Sequence, residues 1–355
     1  MIFLIIVGAL VAGAGTAYVA SDDVRYVTRA GLEETRILQS RESIARLVAD
    51  SATSPELRSS LRLVLAVRDY ADSLGLDAGE TYTTYADVGR DTLLLVLQAA
   101  PPDCICPYTW KWPIVGRMPY KGFFEADAAQ REATQLAGRG YDIYLRPSGA
   151  FSTLGWFEDP LLSTALSTDS MELAATVFHE IAHNSLYVPS ATPFNESFAQ
   201  LVGYRAAERF FRERGDTLDA RRAADRWHDE ILLGAFYTEL TARLDRFYAT
   251  HPDSAALDSG RLAEGRWARS QLEGPLRDSL RTYTVGMVPE RPVNNARLIG
   301  ATIYRSHLDW FESYYQQHGA DIKLTVAELK QLMGGAKGDD AFARLQTAVG
   351  GALGQ

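Results

Sequence analysis

Apolar positions change their period near residue 169, and the chain divides there. Before it, Ile37, Ile44, Leu47 and Val48 recur at helical spacing within 30–75. Ser54-Pro55-Glu56 predicts a helix start, with a capping hydroxyl, a proline for the first turn and an acid, and Gly75 predicts its end. Thr92-Leu-Leu-Leu-Val-Leu-Gln98 is a continuous apolar run between Asp91 and Pro101-Pro102, which predicts a buried strand. Residues 99–123 read as an aromatic loop carrying Tyr108, Trp110, Trp112, Tyr120 and Phe123. Tyr141-Asp-Ile-Tyr-Leu-Arg146 alternates and predicts a second strand. Gly149-Ala-Phe-Ser-Thr-Leu-Gly155 then leads to the acidic turn Glu158-Asp159-Pro160.

From Asp169 onward the period is helical. Asp169-Ser-Met-Glu172 and Thr325-Val-Ala-Glu328 resemble capping boxes. Helices are predicted at 170–187, 195–214, 218–250, 255–283, 294–317 and 326–334, with 341–355 as a tail. Strands early and helices late argue α+β over a doubly wound sheet. The expected fold is thus a small mixed sheet followed by a mainly helical half, forming one domain over 22–340.

Composition adds one exclusion and one segment. A net charge of −9, with no basic cluster, argues against a nucleic-acid partner. Cys104 and Cys106 are too close in sequence for a stabilising disulfide framework, and two thiols cannot close a structural zinc site. The expectation is a pair of free or incidentally oxidised thiols in a loop. Ile2 to Ala20 is free of charge and would rise about 28 Å as a helix, near the thickness of a hydrocarbon core. The cleavage pattern of a signal peptide is poor, so 1–21 is expected to be an uncleaved transmembrane anchor, with a signal segment cleaved after Ala17 as the alternative.

The chemistry is concentrated in Phe178-His179-Glu180-Ile181-Ala182-His183. Four residues advance a helix by about 400°, which stacks His179 and His183 on one face where both can ligate one ion. Glu180 is turned about 100° from His179, outside the ligand pair but within reach of a water on the metal. Glu196 follows His183 by 13 positions at the start of the next predicted helix and is the expected third ligand. Asp159 and Glu172 are its alternatives. Pro189 and Pro193 can turn the chain between the two helices, and Ala199 and Gly203 would let them approach closely. Two imidazoles and a carboxylate favour zinc, with Glu180 as the general base that activates a zinc-bound water.

His-Glu-Ile-Ala-His followed by Asn195-Glu-Ser-Phe-Ala199 resembles the bacterial predicted-aminopeptidase family, whose members are membrane-attached zincins. Trp112-Pro-Ile-Val-Gly116, Pro119-Tyr-Lys-Gly-Phe-Phe124, Ser152-Thr-Leu-Gly-Trp-Phe-Glu-Asp-Pro-Leu-Leu-Ser163 and Asn294-Asn-Ala-Arg-Leu298 extend the likeness across residues 25–335. The resemblance implies a zinc metallopeptidase acting on peptides, an aminopeptidase most of all, anchored in the membrane with its catalytic domain on the extracytoplasmic (periplasmic) side. In zincins the substrate lies along an edge strand, and Gly149, Ala150 and Phe151 occupy the matching segment. Glu158 and Asp159 are candidates for binding a substrate ammonium, and Asn295 and Arg297 are further substrate-binding candidates. Tyr304, or His307 one turn on, is the candidate for stabilising the oxyanion. A zinc endopeptidase of the same fold, and a membrane-anchored peptide-binding scaffold without catalysis, are the alternatives.

Overall fold

The computed structural model describes residues 22–112, 116–149 and 160–351. Several helices begin where the local chemistry asks. Ser54 Oγ accepts from Leu57 N at 3.2 Å, and Asp169 Oδ1 accepts from Met171 N and Glu172 N at 3.0 and 3.1 Å. Thr325 is no cap: the last of the predicted helices starts earlier, at Ile322, behind Asp321.

In chain order the elements are α1 (Asp22–Ser40), β1 (Glu42–Ser43), α2 (Ile44–Ala49), α3 (Pro55–Ser73), β2 (Thr84–Ala86), β3 (Leu94–Ala100), β4 (Trp110–Trp112), β5 (Gly116–Met118), β6 (Lys121–Phe123), α4 (Ala126–Gly138), β7 (Asp142–Ser148) and β8 (Leu161–Leu162). A 3-10 turn at Ser163–Ala165 precedes α5 (Ser170–Ser185), α6 (Thr192–Glu213), α7 (Thr217–Tyr248), α8 (Ser254–Glu273) and α9 (Pro275–Ser279). Then come α10 (Asn295–Thr302), α11 (Leu308–Gln317), α12 (Ile322–Leu332) and α13 (Asp340–Gly351).

The expected fold needs two corrections. In place of one small mixed sheet there are, among the described residues, three: β1-β2-β8, the antiparallel β6-β3-β7, and the β4-β5 hairpin. Among them only β2 with β8 is a parallel pair. Helices are also spread through the first half, where α1 to α4 intervene between strands. The transmembrane helix, and with it the membrane-anchored location, is not supported, because no described helix is long and apolar enough to cross a membrane. The first described helix, α1, carries Asp22, Asp23, Arg25, Arg29, Glu33, Glu34 and Arg36, too many charges for a lipid interior. Residues 2–20, on which that expectation rested, lie outside the described residues.

The largest core surrounds α5 and α6. Phe178, Phe194, Phe198, Phe210 and Trp227 are fully buried there, and Phe178 meets Phe210 edge-on at 6.0 Å. The two helices approach closely at a glycine. A methyl group on Gly203 would stand 2.9 Å from Ala175 O and 3.4 Å from His179 Cβ. Gly203 therefore lets the helices come this near, as its small size suggested, and Ala199 one turn before it is fully buried.

The β6-β3-β7 sheet is covered on both faces. Ile143 and Leu145 of β7, with Leu97 and Ala99 of β3, pack on Ala129, Ala133 and Leu136 of α4. On the opposite face lie Asp142, Tyr144 and Arg146, registered against Ala100, Gln98 and Val96. There Gly300 of α10 comes so close that a methyl group on it would stand 2.6 Å from Gln98 Oε1 and 3.2 Å from the Tyr144 ring.

Two segments depart from expectation, and the cysteine pair takes the oxidised of its two expected states. The helix predicted over 294–317 breaks at 303–307, between α10 and α11. The expected tail forms α13, whose Phe342 packs 5.4 Å from Phe194. Cys104 and Cys106 are joined in a disulfide, and the Cys104 carbonyl accepts from Asn295 Nδ2 at 3.2 Å.

Candidate metal centre

Residue spacing on α5 turns both imidazoles to the same side. His179 Nε2 and His183 Nε2 lie 3.3 Å apart. Glu196, in the first turns of α6, brings Oε2 to 3.3 Å from His179 Nε2 and 3.7 Å from His183 Nε2. A tetrahedral ion at about 2.0–2.1 Å from each donor requires donors about 3.3 Å apart. The three atoms have that spacing, so the residues fit one small divalent ion. Among the described residues this is the group of His, Cys, Asp and Glu side chains placed to hold a metal.

The neighbours of Glu196 explain how it arrives there. Asn195 is buried, and its side chain both accepts from Val188 N and donates to Val188 O at 2.9 Å. That clamp fixes the turn between α5 and α6. On the other side, the buried Ser197 Oγ accepts from Ser306 N at 3.1 Å, tying α6 to the break between α10 and α11. The Arg305 Nε to Glu230 Oε2 ion pair, at 2.6 Å, and the left-handed His307, with φ of 53°, hold the same break. Its product is Tyr304, whose ring lies 6.3 Å from that of His179.

Electrostatics favour a cation at the three donors. Burial opposes charge on His179, but its hydrogen bond to Glu196 and the charges of Glu180 and Glu196 outweigh that and raise its pKa. His183 is pushed down to about 4 by burial and by His179 beside it, so at neutral pH it is a neutral imidazole, able to coordinate. Glu196 is held below the ordinary carboxylate range: burial works against its charge, and the His179 bond and the two rings prevail. Burial pushes the Tyr304 phenol up, Glu196 and Glu180 push it further, and Arg146 pulls it back, so it remains a proton donor at neutral pH.

A family model described as putative aminopeptidase matches residues 25–341. The chain belongs to the putative aminopeptidase family. No curated protein and no solved structure matches it. As a member of that family the chain is a peptidase by kinship, and peptides are its implied substrates.

Of the other residues expected at the site of this aminopeptidase-family member, few are brought to the donors. Gly149 follows β7, with its carbonyl accepting from Thr164 Oγ1 at 2.5 Å and no room for a side chain beside Thr164 O. Ala150, Phe151, Glu158 and Asp159 lie outside the described residues. Asn295 is fully buried, bonded to Tyr248, Pro101 O, Cys104 O and, through its amide, Asp142, away from the donors. Arg297 is exposed above the Tyr144 ring, in a pocket of about 400 Å³ shared with Arg261 and Arg291. His307 stacks on Trp310 at 3.8 Å, and Glu172 pairs with Arg226 at 2.7 Å. Neither faces the donors.

Two residues near the centre escaped the reading of the sequence. Tyr120, from the aromatic loop, and Arg146, from β7, act electrostatically on each other, and Tyr120 also feels Glu196. Burial raises the Tyr120 phenol first, Glu196 next, and Arg146 lowers it. The alternation that predicted β7 already put Arg146 on the face opposite Leu145. Only the tertiary fold shows what that face meets.

Proposed function

We propose that this chain hydrolyses peptide bonds with one zinc ion held by His179, His183 and Glu196, and that it acts as an aminopeptidase. The observation that carries the reading is the 3.3–3.7 Å spacing of three nitrogen and oxygen donors, with Glu180 next to the first of them. Two imidazoles and a carboxylate suit zinc and leave a coordination position open. A zinc ion bound there supplies a Lewis acid that acidifies water and polarises a carbonyl.

The chain's own groups do the rest. Glu180 accepts the proton of the attacking water and returns it to the leaving amine. Tyr304, a phenol at working pH, donates a hydrogen bond to the oxygen that gains charge as the carbonyl is attacked. Among the described residues β7 pairs only with β3, so its outer edge can align an extended peptide that runs toward Gly149. Glu158 and Asp159 are the proposed partners of the substrate ammonium.

Elemental analysis of the purified protein should give one zinc per chain, with hydrolysis lost on chelation and restored by zinc. Glu180→Gln should keep the ion and lose about 10²- to 10⁴-fold in kcat. Full activity in that variant, or in protein stripped of metal, sinks the mechanism. Cleavage of amino-acetylated peptides as fast as unblocked ones excludes the aminopeptidase form and leaves an endopeptidase.

A further inference from the structure

Along β7, the side chains at even positions line one face, and each before Arg146 has a partner. Asp142 accepts from Arg261 and from Asn295 N, the latter at 2.7 Å. Tyr144 lies against Gly300 of α10. Arg146 is two residues further, about 6.6 Å along the strand, beside the turn that follows α10 and carries Tyr304. Its charge acts on both Tyr304 and Tyr120, phenols that also feel Glu196. Tyr304 in turn has its ring 6.3 Å from that of His179, so the Arg146 face of β7 lies on the side of the centre that carries the phenols.

Arg146 is half-buried, and among the described residues it forms no ion pair. Lys121, Arg261 and Arg305 nearby are each matched by a carboxylate, Glu132, Asp142 and Glu230. A partly desolvated guanidinium without an anion is unfavourable. The centre itself offers it none: a divalent ion is balanced by Glu180 and Glu196, and the phenols are neutral. Among the described residues one positive charge is left over, and a substrate anion would match it; Glu158 and Asp159, outside them, are the proposed partners of the substrate ammonium.

We propose that Arg146 binds the free carboxylate of a short peptide, which makes dipeptides and tripeptides the preferred substrates. The proposal rests on the metallopeptidase reading above. Each residue beyond the scissile bond advances an extended chain by at most about 3.3–3.6 Å. A terminal carboxylate stays next to the centre only when one or two residues follow the cut. An aminopeptidase meets that condition on dipeptides and tripeptides alone. A guanidinium also suits a carboxylate in particular, because its planar fork can donate two parallel hydrogen bonds.

The test compares tri-alanine with its carboxyl-terminal amide on the zinc-loaded protein. The wild type should cleave the free acid with kcat/KM about 10- to 100-fold above the amide, the range of a charge-assisted hydrogen bond. Arg146→Ala should erase that ratio, chiefly through KM, and Arg146→Lys should retain part of it. Equal cleavage of acid and amide by the wild type overturns the proposal and leaves the peptidase reading intact. So does an Arg146→Ala variant that slows both peptides alike, since an oxyanion or packing role predicts that result. Absence of zinc-dependent cleavage of either peptide fails the peptidase reading itself, and the proposal with it.

Discussion

The two walls of the metal centre are built in opposite ways. One wall is a helix pair, α5 and α6, whose backbones meet at Gly203 and whose three donors project from regular turns. The other is assembled from a strand end, a loop and a broken helix, which bring Arg146, Tyr120 and Tyr304 from positions far apart in sequence. The helix pair holds by packing. The opposite wall holds by polar ties, chief among them Glu230 with Arg305 and Ser197 with Ser306. Damage to the first should therefore show in metal affinity, and damage to the second in turnover.

The largest effect should come from Glu230→Ala. It leaves Arg305 with a buried, unmatched charge and removes the partner of Tyr283 Oη. Removing one member of a buried pair costs about 3–5 kcal/mol. Chemical denaturation should read that loss, while the fraction of zinc bound at saturation stays at one and kcat falls. If kcat and zinc affinity fall together, the walls are not separable. Next comes Gly203→Ala, whose methyl group meets Ala175 O and His179 Cβ. Forcing it in should cost about 1–3 kcal/mol, less what alanine returns in helix propensity. Zinc titration should show weaker binding, and unchanged affinity would mean that the helix spacing does not set the donor geometry.

Ser197→Ala is a smaller cut. It removes the acceptor for Ser306 N and should cost about 1 kcal/mol. Its signature should be several-fold lower kcat at unchanged zinc stoichiometry.

The smallest effect concerns the cap of the donor helix. Burial opposes the charge on Asp169, but Arg222 and the Met171 and Glu172 amides outweigh it and hold its pKa below the usual value. A depressed carboxylate stabilises the fold fully above its unfolded pKa, about 3.9, and that contribution disappears as pH falls through the folded value. Denaturation midpoints between pH 5 and pH 2 should thus fall less steeply for Asp169→Asn than for the wild type. Parallel curves would remove Asp169 from the acid response.

The same contrast governs what could be read from the residues alone. His179, Glu180 and His183 are one helical turn, and Glu196 is one short connection away, so that the three donors would meet could be read from their spacing. The close approach at Gly203 was legible for the same reason. The break at 303–307 carries no glycine or proline, and its cause lies in Ser197 and Glu230, more than seventy positions away in sequence. Periodicity continued the helix through it. Asn295 read as a substrate group because polar residues in a motif suggest binding, whereas its bonds to Tyr248 and to the loop at Pro101 and Cys104 are internal. The aromatic loop was divided between two roles. Trp110 is buried and bonds Glu132, while Tyr120 feels the charge of Glu196.

Glu196 and Ser197 are adjacent, and one is a proposed ligand of the ion while the other holds the turn that presents Tyr304. Filling the first position and ordering the second share a single peptide unit, so their free energies are linked. Linkage is reciprocal. An inhibitor that docks on the phenol should raise the affinity for zinc, and zinc should tighten the inhibitor by the same factor.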